Sequence, residues 1–320
     1  MNTIINIPFE NIISSDESFR ISYGEPPQRL ICSIQMTGIL QPLWAKPSNQ
    51  KYSIVLGYKR WHAAQRLKMV YLPCRIVDDS LSDADLLLAN IYDNLATREL
   101  APLEAAGAMQ KSVMIFGKEK TVSEIMPALG LKPSASLLQR MIQILDLPNQ
   151  ILNLIHQNAL TPANAFVFLA LETSEQLALC KIFENLKPGV NLQRELLENI
   201  IECSRRDAAS ISEILQRSQL CDILSDDKTP TQARVEQFRA ELRRLRYPRL
   251  NKVEARFQDL IETLRLPPEI RLSPPPSFEG ADFHACIRFK SPDELLTRLD
   301  RMANAFSSPE IKKMFGLLRE

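Results

Sequence analysis

The stretch Tyr52-Ser-Ile-Val-Leu-Gly57-Tyr58-Lys59-Arg60-Trp61-His62-Ala63-Ala64-Gln65-Arg66 decides how this chain reads. Its first part is a β-rich apolar run, Gly57 interrupts it, and helical periodicity follows, so a strand is predicted to turn directly into a helix. Backbone amides left unpaired at a helix start favour anions, and Lys59 with Arg60 adds positive charge there. The junction reads either as a phosphate site or as a glycine turn carrying two solvated basic residues. Residue types alone leave both readings open.

Outward from this junction, Thr3 to Pro8, Leu43 to Lys46 and Leu72 to Val77 have the composition of further strands. Gln28 to Met36 and Tyr58 to Lys68 carry helical spacing, and Ser82 is placed to N-cap a helix running through Asn94. Residues 1–100 are therefore expected to form an α/β domain. From Ala101 to about Ser225 strand signals vanish, and Pro127, Pro133, Pro148, Pro162 and Pro188 punctuate successive helices, predicting an all-α region over 101–225. A polar linker at Asp226 to Pro230 leads into a basic helix broken near Pro248. Leu250, Val253, Phe257, Leu260, Ile261 and Leu264 then make one apolar stripe, either core or a dimer seam. Strands at Glu269 to Leu272 and at Asp282 to Phe289, the latter aligning Phe283, Ile287 and Phe289, and helices at 292–306 and 309–318 complete a small α+β module over 226–320. The fold class expected is α+β in three successive regions.

Composition narrows the function. The chain has 320 residues, 45% hydrophobic, with 39 Lys plus Arg against 38 Asp plus Glu, a formal net charge of +1. That balance suits folded domains and excludes global disorder. No apolar run approaches the roughly 18 to 20 residues that span a bilayer, so no membrane role is expected. Six scattered cysteines form no CxxC pair, which points to a reduced, cytoplasmic protein. The nine glycines permit no GxGxxG loop, and neither GxxxxGK[ST] nor GxSxG occurs. With so little net charge, any hold on nucleic acid must come from local clusters.

Residues 121 to 145 have the form of a helix-turn-helix. Thr121 or Ser123 is placed to cap a first helix, Gly130 to end it, and Pro133 with Ser134 to start a second. In that second helix Leu137, Leu138, Met141, Ile142 and Leu145 form an apolar face. Ser136, Gln139, Arg140 and Gln143, with Lys132 and Ser134 at its start, remain for base edges or phosphates in a major groove. The alternative is an ordinary amphipathic helix in a bundle. Further on, Arg239, Arg243 and Arg246 share a helical face, either a non-specific DNA stripe or a solvated face paired with acidic neighbours. Asp78, Asp79, Asp83 and Asp85 could hold a metal, but their place between a strand and a helix suits an N-capping turn better.

Taken in order, several of these segments resemble the ParB chromosome and plasmid partition family. Gly57 to Ala63 is similar to its GERRxRA box, Gly38-Ile-Leu-Gln-Pro42 to its turn into a strand, and Phe19-Arg20 to the place of an early arginine. Asp93-Asn94-Leu95 followed by Leu100-Ala-Pro-Leu-Glu104 resembles the family's "EN…LNPIE" segment. Thr121 to Pro148 resembles its helix-turn-helix, and Leu160 to Leu171 its following helix. The likeness covers roughly residues 4 to 171. It implies a ParB/sulfiredoxin-like α/β domain that binds CTP with Mg2+ through Arg20, Gly57, Lys59, Arg60, His62, Asp93 and Asn94, the last two at the metal. It also implies sequence-specific binding to double-stranded DNA, a homodimer, a ParA-type ATPase partner and a nucleoid-associated location. Met1 to Ile7, where that partner would engage, lacks the basic character of such a contact.

Departures from the family pattern matter as much. Tyr58 replaces the box's glutamate and cannot act as a carboxylate, His62 replaces an arginine, and Thr97 a common arginine, although Arg98 lies next door. Lys59 for arginine loses a bidentate fork. Nucleotide binding with at most weak CTP hydrolysis is the expectation. A lone histidine such as His62 more often packs than contacts phosphate. Sulfiredoxins share the α/β domain but place a cysteine at the junction, and here there is none. Two other functions are compatible with the residues: a ParB-like transcriptional regulator or nucleoid-associated protein, and a nucleotide-dependent enzyme or nuclease on the same domain.

Overall fold

The fold is described from a computed structural model over residues 4–78, 80–280 and 282–319. The chain divides into two compact units, residues 1–197 with 210–215, and residues 198–209 with 216–320.

The first unit is organised on a four-stranded sheet of order β1-β4-β2-β3, with β1 at Ile4–Pro8, β2 at Leu43–Ser48, β3 at Lys51–Leu56 and β4 at Tyr71–Ile76. β2 and β3 form a hairpin whose turn residues Asn49 and Gln50 both adopt positive φ, the geometry that matches strand twist. β4 contains Pro73, which has no N–H to give a ladder. The strand tolerates it because β4 pairs with β2 only from Cys74 onward, so Pro73 has a single neighbour, Asn6 on β1. Ser53, Ile54, Val55 and Leu56 are all buried, a run without alternation, whereas β2 and β4 alternate buried and part-exposed positions where helices pack on this sheet.

Those helices are α1 (Gln28–Thr37), α2 (Tyr58–Arg66) and α3 (Asp83–Leu95). Leu43, Ala45, Leu72, Leu86, Leu87 and Ile91 are fully buried between sheet and helices, and Ile31 and Ile34 of α1 pack on Ala63 of α2. Ser82 caps α3 as expected, accepting from Asp85 N while the Asp85 carboxylate accepts from Ser82 N. Asp83 pairs with Lys46 at 2.6 Å, and Asp79 lies outside the described residues. Among the described residues no group of three or more His, Cys, Asp or Glu is arranged to hold a metal.

Helices then follow one another, beginning with α4 (Pro102–Phe116). The first helix of the helix-turn-helix does not start at a Thr121 or Ser123 cap. It begins at Lys118, directly after Gly117, and runs through Lys118–Lys120, Thr121–Ile125 and Met126–Ala128. Pro127 explains the irregular middle: lacking an N–H, it cannot bond the Ser123 carbonyl, and the turn widens so that Met126 N reaches Thr121 O, five residues back. The Thr121 hydroxyl donates to Gly117 O at 2.8 Å instead of capping. The second helix, Ala135–Gln143, is capped by Ser134, whose hydroxyl accepts from Leu137 N, and packs on α4 through Leu138 and Met141.

In the second unit, helix Thr231–Arg246 buries Val235, Phe238 and Leu242, and Pro248 opens the next helix, Pro248–Leu264. The apolar stripe on that helix is core from Val253 onward: Phe257 with Val253, Leu260, Ile261 and Leu264 packs on Ile311, Met314 and Leu317, while Leu250 lies outside that cluster. The hairpin β5 (Ile270–Ser273) and β6 (His284–Ile287) is antiparallel. Phe283 stacks on Phe257 at 5.9 Å, whereas Phe289 lies beyond the strand and is exposed. No helix among the described residues is long and apolar enough to cross a membrane.

Candidate functional site

Gly57 makes the strand-to-helix junction. Its φ of 97° lies in the left-handed region, and a Cβ there would come within 3.1 Å of the Arg60 guanidinium. A side chain would be strained and would push Arg60 aside. β3 therefore ends and α2 begins within one residue, and the opening turn of α2 faces a cavity of about 310 Å³. Gln41 from the turn before β2, Leu30 of α1, Ile21 and Ser22 line it, together with Asn90, Asp93, Asn94, Thr97 and Arg98 from the end of α3.

Of the residues expected to form a nucleotide site, the cavity gathers Gly57, Lys59, Arg60, Asp93 and Asn94. Arg20 and His62 are not part of its lining. Arg20 bonds Ser22 O at 3.2 Å and pairs with Glu17. His62 packs on Trp61 with ring centroids 4.5 Å apart, and burial, with the Arg20 charge second, holds its pKa below the ordinary histidine value. A neutral, packed ring is a poor phosphate ligand.

Arg60 donates to the carbonyls of Gln41 and Pro42, which anchors the guanidinium across the cavity mouth. Burial lowers its pKa while Asp93 opposes that shift. Tyr58 turns inward: its hydroxyl donates to Ile54 O at 2.7 Å, and burial raises its pKa. No carboxylate takes its place at the start of α2.

Two contributors were not singled out as site residues in the sequence. Arg98 lies one position after the family's usual arginine, and the tight turn closing α3, in which Arg98 N bonds Asn94 O at 3.0 Å, swings its guanidinium back to the cavity. Glu104, in the first turn of α4, has a side chain only 1% exposed and pairs with both Lys59, at 2.9 Å, and Arg98. Burial would raise the Glu104 carboxyl, but hydrogen bonds from Arg98 and Lys59 hold it below its usual value. Arg98 also donates to Asn94 Oδ1 at 2.9 Å, and Asn94 Nδ2 donates to Asn90, so the Asn94 amide is engaged at both ends. Asp93 is exposed at the cavity and fits a hard divalent cation that keeps its waters; Asn94, with Oδ1 taken, does not fit as a second ligand as it stands.

In the second candidate region, Lys132, Ser136, Gln139, Arg140 and Gln143 are exposed on one side of helix Ala135–Gln143, and Ser134 is spent on the cap. Arg140 lies over the Phe166 ring at 4.7 Å, which steadies it without neutralising it. The arginines of the basic helix are each matched: Arg239 approaches Glu236 at 3.9 Å, Arg243 pairs with Glu254 at 3.1 Å, and Arg246 with Glu202 at 2.5 Å. Arg246 is also half-buried, bonded to Asn199. The junction holds no cysteine, and burial pushes the Cys74 thiol up to about 12, well removed from reactivity.

Residues 1–95 match the family model of the ParB N-terminal domain. Over 202 residues, 60% of this chain, it is 29% identical to a probable chromosome-partitioning protein ParB of Mycobacterium leprae. It is 26% identical over 204 residues, 63% of this chain and 70% of the relative, to a nucleoid occlusion protein of Geobacillus thermodenitrificans. The chain spans 59% of the Mycobacterium leprae protein and 53% of a partition protein from Neisseria meningitidis, little more than half of each. Two crystal structures of C-terminally truncated ParB from Caulobacter crescentus also match. One, complexed with CTP-γ-S, shares 27% identity over 57% of this chain and 99% of that chain, with a TM-score of 0.27. The other, complexed with the centromeric parS site, shares 25% over 61% of this chain and 98% of that chain, with a TM-score of 0.34. Scores this low leave the likeness at the level of sequence.

Proposed function

We propose that this chain, whose residues 1–95 match the ParB N-terminal domain family, is a divergent ParB-type protein that binds a specific DNA site in chromosome or plasmid partition and takes a nucleotide in the cavity beside Gly57. The observation that carries the reading is the cavity itself: a helix start, Lys59, Arg60 and Arg98 converge on one concave space beside a lone exposed carboxylate, Asp93. Oriented amides and cations suit a polyphosphate, and family resemblance makes the nucleotide CTP. Asp93 would hold Mg2+ against the phosphates; the ion supplies charge neutralisation when bound. Lys59, Arg60 and Arg98 bind phosphate, and Gly57 leaves room for Arg60 to reach across the mouth. Tyr58 offers no general base, so binding rather than efficient turnover is the role.

The three regions divide this work. Residues 1–100 bind nucleotide, residues 101–225 read DNA through Gln139, Arg140, Gln143 and Ser136 with Lys132 nearby, and residues 226–320 pair two copies of the chain. Arg239 and Arg243 add weak sequence-independent phosphate contacts. Double-stranded DNA, a second copy and a ParA-type ATPase are the partners, and the nucleoid in the cytoplasm is the location. A second reading, a nucleoid-associated regulator without a role in segregation, is favoured by the similarity to a nucleoid occlusion protein. Genome-wide immunoprecipitation separates the two: a few strong sites with signal spreading outward support partition, and many isolated peaks would sink it.

A further inference from the structure

Two of the cavity's three cations, Lys59 and Arg98, already share one carboxylate. Arg98 donates through Nη1 to Glu99 O and Glu104 Oε2, and through Nη2 to Asn94 Oδ1 and Glu104 Oε1. Each terminal nitrogen carries two hydrogens, so these bonds use them all and leave Nε. Lys59 gives one of its three donors to Glu104 Oε1 at 2.9 Å. Glu104 in turn belongs to α4, and its Oε2 accepts from Ala101 N at 3.1 Å, closing that helix's first turn. One buried carboxylate thus ties the start of α2, the turn after α3 and the start of α4 to each other.

We propose that Glu104 is an internal stand-in for ligand phosphate: it holds Lys59 and Arg98, and a polyphosphate entering the cavity takes Arg98 from it. This rests on the nucleotide reading of the cavity and deepens it, naming the residue that sets anion affinity and the helix that feels occupancy. The charges argue for competition. Lys59, Arg60 and Arg98 face Asp93 and Glu104, so the carboxylates cancel much of the field a phosphate would meet. A phosphate offers Arg98 the same bidentate geometry with more charge. When Arg98 moves over, Glu104 keeps Lys59 alone, and the first turn of α4 loses one of its anchors. α4 is the helix on which the helix Ala135–Gln143 packs, so the region proposed to read DNA senses the change directly.

Calorimetric titration of the full chain and its Glu104→Gln variant tests this with two probes, CTP with Mg2+ and inorganic tripolyphosphate. Glutamine keeps the size and a hydrogen-bond acceptor but removes the charge. The proposal expects both probes to bind the variant roughly tenfold tighter, the scale of one unit charge removed a few ångströms from the site. Unchanged or weaker tripolyphosphate binding to a folded variant would overturn it. Tighter tripolyphosphate binding with no response to CTP would keep the latch and refute the nucleotide reading. Should Glu104→Gln fail to fold, hydrogen exchange in the wild-type chain decides: tripolyphosphate should speed exchange at residues 101–106, and slower or unaltered exchange there contradicts the latch.

Discussion

The cavity beside Gly57 and the helix Thr231–Arg246 both gather lysine and arginine, yet they hold that charge differently. In the cavity Lys59, Arg60 and Arg98 come from separate segments and converge on one concave space, where a buried carboxylate and backbone carbonyls fix them. Along the helix, Arg239, Arg243 and Arg246 come from one segment and are each matched by a different nearby carboxylate. A count of basic residues favours the helix; convergence and partial enclosure favour the cavity. Exposed pairs contribute little, whereas cations held in a low-dielectric recess act strongly on an anion.

The largest expected effect tests whether the cavity's frame is as rigid as its packing implies. Trp61 is 4% exposed and stacked 6.2 Å from Phe9. Trp61→Ala should cost about 3–5 kcal/mol in urea unfolding. A loss under 1 kcal/mol would mean that the opening helix is not anchored by this core. Next comes the DNA side. Alanine at Gln139 and Arg140 together should weaken cognate-site binding by about 1–3 kcal/mol in a gel-shift titration while sparing non-specific DNA. Equal losses on both DNAs would assign those residues to phosphate rather than base contact.

The arginine helix should respond much less. Arg239→Ala with Arg243→Ala should lower non-specific DNA affinity only about twofold at low salt, since both side chains already satisfy carboxylates. A tenfold loss would reverse the ranking of the two regions. The smallest effect concerns His62, whose folded pKa lies below its ordinary 6.5 through burial. The unfolded chain then binds the proton more readily. His62 therefore contributes stability that is present above pH 6.5 and lost as pH falls through its lower folded pKa. His62→Gln should flatten that slope in thermal unfolding across this window, and an unaltered slope would place the acid sensitivity elsewhere.

Much of the fold was legible because local signals agreed with the tertiary outcome. The Val55-Leu56-Gly57 break, the Ser82 cap and the run of helix-bounding prolines each mark a boundary from a few residues. The helix before the turn was misplaced because Thr121 looks like a cap, whereas the helix starts earlier at Lys118 and Pro127 forces a wide turn inside it. The apolar stripe from Leu250 to Leu264 left core and dimer seam open, and only the packing of Ile311 and Met314 against its 253–264 part decides for core there. Within the site, Gly57, Lys59 and Arg60 lie consecutively enough to be found by eye. Arg98 depends on a turn that reverses its direction, and Glu104 on three elements meeting, which no spacing rule encodes.

The central claim, that the Gly57 cavity is a nucleotide site, is tested most directly by isothermal titration of CTP with Mg2+ into the wild-type chain and its Arg60→Ala variant. One CTP per chain, preferred over the other nucleoside triphosphates and weakened at least about tenfold in the variant, is the predicted result. No heat with any nucleotide, or equal binding to the variant, would contradict it.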